Sequence, residues 1–156
     1  MIRRITREED AFFIVNDDLD LALILEADGL HLGQTDIPIK YARPYLREKI
    51  IGVSTHSLEQ AKEALRDGAD YIGVGPIFPT STKENPDEVV GPGLITQIAA
   101  FSPVPIVAIG GITLENLGKV IQAGGRCVAV VSDILNAENI ENQARLFKSR
   151  LSSGHP

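Results

Sequence analysis

Six short apolar runs, each followed by an amphipathic helical stretch, constrain the fold of this chain more than any other feature. The runs are Phe12–Val15, Gly29–Leu32, Lys49–Val53, Tyr71–Gly75, Ile106–Ile109 and Cys127–Val131. They are rich in β-branched residues and nearly continuous in apolar character, as strands buried on both faces of a parallel sheet are. Between and after them lie helix candidates at Leu19–Leu25, Pro38–Leu46, Ser57–Arg66, Gly93–Ala100, Leu114–Ala123 and Glu138–Leu151. Regular alternation of strand and helix predicts βαβ units and an α/β fold. Ser57 with Gln60 reads as a capping box, Thr113 as an N-cap, and Gly68 and Gly124 as left-handed residues just past helix ends.

A joint recurs along the chain. Ala27-Asp28-Gly29-Leu30-His31-Leu32-Gly33 is echoed by Gly68-Ala69-Asp70-Tyr71-Ile72-Gly73-Val74-Gly75, and more loosely by Ala123-Gly124-Gly125-Arg126-Cys127-Val128-Ala129-Val130. Recurrent helix–turn–strand joints predict a barrel of repeated βα units rather than a Rossmann sheet, and their uneven spacing excludes a solenoid. The segment Glu84–Gly93, with two prolines and two glycines, reads as a lid over the loop before it, and residues 152–156 as a frayed tail.

Length and charge narrow the function. The 156 residues suit one domain with a core of its own. A net charge of −6 argues against a nucleic-acid or anionic-membrane surface, and no apolar run reaches the roughly 20 residues of a membrane span. The single cysteine, Cys127, has no partner for an internal disulfide, which fits a reducing cytoplasm; its apolar run predicts a small buried hydrophobe.

In a parallel barrel the ligand site is built from the loops after the strands. Asp17 follows the first run and Asp36 the second, so two carboxylates on neighbouring loops can share Mg²⁺, a hard ion that prefers oxygen ligands. Asp18 and Asp20 read instead as charges at a helix start. Ser54 follows the third run and is placed to donate to a phosphate; His56 reads as a local cap or packing residue more readily than as a general base. His31 reads as structural. The fourth run opens into Thr80, Ser81, Thr82 and Lys83, three hydroxyls and a cation suited to an anion. Gly110-Gly111 after the fifth run and Ser132 after the sixth, each expected before a helix, suit a phosphate held by backbone N–H groups.

These motifs, Asn16-Asp17-Asp18, His31 to Asp36, Gly52 to His56, Gly73 to Lys83, Ala108 to Ile112 and Val130 to Ser132, resemble in order the successive motifs of the thiamine-phosphate synthase family. The resemblance covers nearly the whole chain. It implies a TIM (β/α)₈-barrel fold and a cytoplasmic transferase of thiamine biosynthesis. Such an enzyme joins a hydroxymethylpyrimidine diphosphate to a thiazole phosphate with Mg²⁺, giving thiamine phosphate and pyrophosphate. It implies further that Asp17 and Asp36 hold the metal, that Asn16, Ser54 and Lys83 bind the pyrimidine diphosphate with Lys83 as the catalytic residue, and that Thr80, Ser81, Thr82, Gly111, Val131 and Ser132 bind the thiazole phosphate.

Against the family pattern the chain reads as an incomplete barrel. About six βα units are present, corresponding to strands 3–8, and the first two, with a Gln-Leu-Arg-x-Lys motif, are missing from the front. Met1–Asp10 reads as the end of a preceding helix. Residues 1–156 are thus expected to form a single, N-terminally truncated domain acting on small molecules, completed by self-association or a partner segment. Two other readings stand beside the synthase. The related thiazole tautomerases carry His where Pro76 stands and lack the second metal aspartate, so Pro76 and Asp36 favour the synthase. An inactive remnant that keeps its phosphate pockets is the third.

Overall fold

The computed structural model describes residues 1–80 and 87–153. Helix α1 (Ile2–Glu8) leads into β1 (Ile14–Asn16), α2 (Leu19–Ile24), β2 (Gly29–Leu32), α3 (Ile39–Leu46), β3 (Ile50–Thr55), α4 (Leu58–Arg66) and β4 (Tyr71–Val74). There follow α5 (Gly93–Ala99), β5 (Ile106–Ile109), α6 (Leu117–Gln122), β6 (Cys127–Ala129), a single turn α7 (Ser132–Leu135) and α8 (Ile140–Ser153). The six strands form one parallel sheet in sequence order, β1-β2-β3-β4-β5-β6. That order is the one expected of consecutive βα units, and it leaves β1 and β6 as the edges.

The sheet is not buried on both faces, contrary to the reading of its strands as continuous apolar runs. One side-chain parity, Leu30 and Leu32, Ile51 and Val53, Ile72 and Val74, and Ala108, is buried. It packs in two clusters with helix residues, among them Ala22, Ala42 and Leu46 around the first strands and Ile95, Ile98, Leu117, Val120 and Phe147 around the later ones. The opposite parity carries His31, Gly52, Ser54, Tyr71 and Gly73, and ends at Ile109, 38% exposed. Small and polar residues on that face leave room for a ligand instead of a second helical layer. Cys127 is likewise exposed rather than buried, because it opens the edge strand β6.

The recurring joint has a structural explanation. Helices α2, α4 and α6 each end in a turn whose cap residue is left-handed: Glu26 (φ 51°), Gly68 (φ 91°) and Gly124 (φ 93°). In each turn the next N–H reaches back five residues, Ala27 to Ala22, Ala69 to Ala64 and Gly125 to Val120. After α2 and α4 an aspartate follows and serves the neighbouring strand, whereas Arg126 stands at that place after α6. Asp28 accepts from the Phe13 N–H at 2.8 Å and from the Arg3 guanidinium of α1. Asp70 accepts from the Ile51 N–H at 2.7 Å and from Arg43 of α3, also at 2.7 Å.

Boundaries shift in several places. Strand β1 starts two residues late, and Phe12 is 76% exposed. Ser57 caps α4 by accepting from the Gln60 N–H, while Gln60 answers not to Ser57 but to the His56 N–H. Thr113 is not the N-cap of α6. It pairs reciprocally with Asn116, and the helix begins after that extra turn, at Leu117. Helix α8 continues to Ser153, which takes Ser152 and Ser153 out of the expected tail.

Candidate active site

Because all six strands are parallel, their carboxyl ends lie on one side, and a cavity of about 490 Å³ opens there. Its wall on the β1–β3 side is Asn16, Asp17, His31, Gly33, Gln34, Thr35, Asp36, Ser54 and His56. The opposite wall is Gly110, Gly111, Ile112, Val131 and Ser132, with Pro76 and Thr80 between. Asn16, Asp17, Asp36, Ser54, Thr80, Gly111, Val131 and Ser132, expected from sequence to form the site, therefore line one space. Ser81, Thr82 and Lys83, and the first residues of the expected lid, lie outside the described residues. The rest of that segment is tied down by the Val90 N–H, which donates to the Pro76 carbonyl at 2.9 Å.

The two aspartates face each other. Asp17 sits in the left-handed region (φ 67°), its N–H bonded to the His31 carbonyl at 2.8 Å. Asp36 is held by the Gly33 N–H, which donates to Oδ2 at 2.6 Å. The Asp17 carboxyl is raised above its ordinary range by desolvation first, and then by the hydrogen bond and negative charge of Asp36. A pair in which one carboxylate disfavours the ionisation of Asp17 fits a hard divalent cation, which would offset that repulsion. Among the described residues no cluster of three or more His, Cys, Asp or Glu side chains forms. Asp18 caps α2 without a side-chain bond, and Asp20 accepts from the Leu21 N–H, as expected for helix-start charges.

The glycine loop approaches closely for a different reason than expected. No helix starts directly after it, since α6 begins at Leu117, and α7 after β6 is a single turn. Instead Gly110 (φ 94°) and Gly111 (φ 60°) are both left-handed, and a Cβ on Gly111 would run into the Phe78 and Pro79 carbonyls. Only glycine allows this backbone to lie against the β4 loop.

His31, read from sequence as structural, also reaches the cavity wall, a position the sequence reading did not assign to it. In the sheet register Asn16, His31, Gly52 and Tyr71 form one row across β1 to β4. His31 stacks on Tyr71 with ring centroids 5.4 Å apart and bonds its hydroxyl through Nδ1 at 2.7 Å. Its Nε2 meets Ser54 Oγ at 2.8 Å, inside the cavity wall. The available signal was parity: a histidine between Leu30 and Leu32 must point away from the helices. Burial lowers its pKa, against a smaller opposing pull from Asp36, and burial pushes Tyr71 up to about 12. His56 is occupied locally, its Nδ1 on the Gly75 carbonyl and its Nε2 3.7 Å from Asp87.

A family model described as thiamine monophosphate synthase matches residues 1–134. The thiamine-phosphate synthase of Lawsonia intracellularis is 45% identical over 155 residues, which cover 99% of this chain and 71% of that protein. That of Dictyoglomus turgidum is 47% identical over 145 residues, 92% of this chain and 65% of the relative. In structure, the thiamine phosphate pyrophosphorylase from Pyrococcus furiosus superposes with a TM-score of 0.90 at 38% identity, covering 99% of this chain and 74% of that one. This chain thus spans roughly two thirds to three quarters of the length of these relatives. Agreement of this extent, across the strands and loops that enclose the cavity, places the chain in the thiamine monophosphate synthase family of enzymes.

Proposed function

We propose that this chain carries the thiamine-phosphate synthase site, condensing a pyrimidine-methyl diphosphate with a thiazole phosphate. The observation that carries the reading is the two-sided cavity, with facing Asp17 and Asp36 on one wall and the Gly111 and Ser132 loops on the other. One wall suits a metal-bound diphosphate and the other a phosphate monoester, which is the pairing of substrates this reaction needs. Pro76 and Asp36 both line the cavity, which favours synthase over tautomerase.

In this reading the methylene C–O bond to the diphosphate breaks first, the leaving group taking the electron pair. The thiazole nitrogen then donates its lone pair to the pyrimidine carbocation. Pyrophosphate departs and thiamine phosphate forms, with no protein nucleophile. Mg²⁺ held by Asp17 and Asp36 would neutralise charge on the departing diphosphate. Asn16 and Ser54 would hold that group by hydrogen bonds, and Lys83 would add a positive charge to it as the catalytic residue. Thr80, Ser81, Thr82, Gly111, Val131 and Ser132 would seat the thiazole phosphate, fixing its nitrogen toward the cation.

Two features of the assembly belong to the same proposal. The open sheet, with β1 and β6 as edges, is read as six units of an eight-unit barrel, a single domain over residues 1–156 that two further βα units or a partner copy would close. The site would work on soluble metabolites in the cytoplasm; no helix among the described residues is long and apolar enough to cross a membrane.

The test is a product assay with both substrates and Mg²⁺ on the purified chain, run beside size-exclusion chromatography. Thiamine phosphate formation is expected, and a folded chain that binds neither substrate would refute the reading. Within it, Lys83→Ala should weaken the pyrimidine diphosphate more than the thiazole phosphate; equal losses would remove Lys83 from the diphosphate site.

A further inference from the structure

The Tyr71–His31–Ser54 chain has a direction that can be read from its end groups. Burial keeps the Tyr71 phenol protonated at neutral pH, so its proton needs an acceptor. Among the described residues the group it meets is His31 Nδ1, at 2.7 Å. A hydrogen bond accepted at Nδ1 leaves the neutral imidazole with its own hydrogen on Nε2. That hydrogen points at Ser54 Oγ, 2.8 Å away. Ser54 then accepts on the side of His31, and its own proton is left for a partner in the cavity that it lines. Gln34 holds the same residue by its backbone, its Nε2 donating to the Ser54 carbonyl at 2.5 Å.

The packing is shaped around this chain. A Cβ on Gly52 would overlap the Tyr71 ring, and one on Gly73 would come within 3.2 Å of the His31 ring. Glycines on two adjoining strands thus make the space in which the two rings stack. His31 is largely buried yet reaches the cavity wall, whereas Tyr71 does not line the cavity.

We propose that Tyr71 and His31 are positioning residues that lock Ser54 as a hydrogen-bond donor into the cavity, toward an anionic oxygen of a bound diphosphate. The identity of that ligand rests on the proposed synthase reading; the direction of the relay does not. The opposite polarity, with hydrogen on Nδ1, would turn the Ser54 proton back toward His31 and present only an acceptor to the ligand, which an anion would not bind.

The experiment combines two readouts on the full chain. Long-range ¹H–¹⁵N NMR of the histidine-labelled protein assigns the His31 tautomer, its signals identified with His31→Gln as reference. The Nε2–H tautomer is expected in the wild type, and a mixture in Tyr71→Phe, which keeps the stacked ring but loses the phenol proton. The Nδ1–H tautomer in the wild type would overturn the relay. Calorimetry with inorganic pyrophosphate and Mg²⁺ then reads its consequence. Tyr71→Phe should weaken binding about fivefold, the worth of one ordinary hydrogen bond, and should cost nothing further in a Ser54→Ala background. An undiminished loss in that background would show that Tyr71 does not act through Ser54 and would sink the proposal. If the wild type does not bind pyrophosphate at all, the synthase reading falls with it, and the tautomer alone decides the relay.

Discussion

The Arg3 guanidinium and the Asp28 carboxylate meet at two points, Nη1 to Oδ2 at 2.6 Å and Nη2 to Oδ1 at 2.8 Å, across 25 residues of chain. A two-point pair of this kind joins α1 to the start of β2, and the same Oδ2 also receives the Phe13 N–H. The Arg3 hydrogen bonds, then that of Phe13, hold the Asp28 carboxyl below its ordinary pKa, against a smaller opposing effect of burial. A depressed pKa means the ionised form is favoured by folding, so the stabilisation is complete above the ordinary carboxylate value near 4 and is lost as pH falls below it. Asp28→Asn should therefore cost about 2 kcal/mol at pH 7 in urea unfolding. The gap to the wild type should close as the pH is lowered below about 4. A gap that persisted unchanged at low pH would assign the loss to packing rather than to the ion pair.

The facing aspartates make opposite predictions with and without metal. Asp17→Asn removes a like charge, and asparagine tolerates the left-handed backbone at φ 67°. In EDTA the variant should be as stable as the wild type or more so, by less than about 1 kcal/mol because Asp17 is exposed and the repulsion is screened. Addition of Mg²⁺ with pyrophosphate should raise the melting temperature of the wild type and leave that of the variant nearly unmoved. Equal shifts in both would exclude Asp17 from the metal site.

Gly52→Ala tests the space beneath the stacked rings. Its Cβ would overlap the Tyr71 ring, so the ring must leave its place, at a cost of about 1–3 kcal/mol. Tyr71→Ala in the same background should relieve part of that cost, giving a double variant more stable than the sum of the singles. Simple additivity in thermal or urea unfolding would mean that the two residues do not meet.

Two glycines separate stability from binding. Gly68 is left-handed with no atom near the place of a Cβ, so Gly68→Ala should cost about 1–2 kcal/mol of backbone strain and leave ligand affinity unchanged. Gly111 carries the same strain and the collision with Phe78 and Pro79 as well. Gly111→Ala should weaken thiazole phosphate binding at least tenfold in calorimetry. Unaltered affinity would detach that loop from the phosphate.

Much of this was legible because strands and joints are written locally. The run Ile106–Ile109 has the same limits in sequence and structure, and Gly68 and Gly124 cap the helices they follow. That Asp17, Ser54, Gly111 and Ser132 line one cavity was legible because loops after parallel strands converge whatever their sequence. What escaped depended on partners far along the chain. Cys127 reads as core, yet stands on an edge strand, which no local pattern reveals. His31 reads as structural, and only the register that sets it beside Tyr71, 40 residues on, shows it turned toward Ser54. Thr113 has the chemistry of a cap, but its reciprocal pair with Asn116 closes a turn ahead of the helix.

The aspartates at the strand starts also act as a datum. Asp28 and Asp70 pin the N-terminal ends of their neighbours, at Phe13 just before β1 and at Ile51 in β3, on the side of the sheet remote from the cavity. A strand fixed at one end and of set length must finish at a set height, so the level at which the ligand loops begin is measured from the opposite rim. The loops can then diverge in sequence and length, altering what is bound, while the frame that holds them stays in alignment.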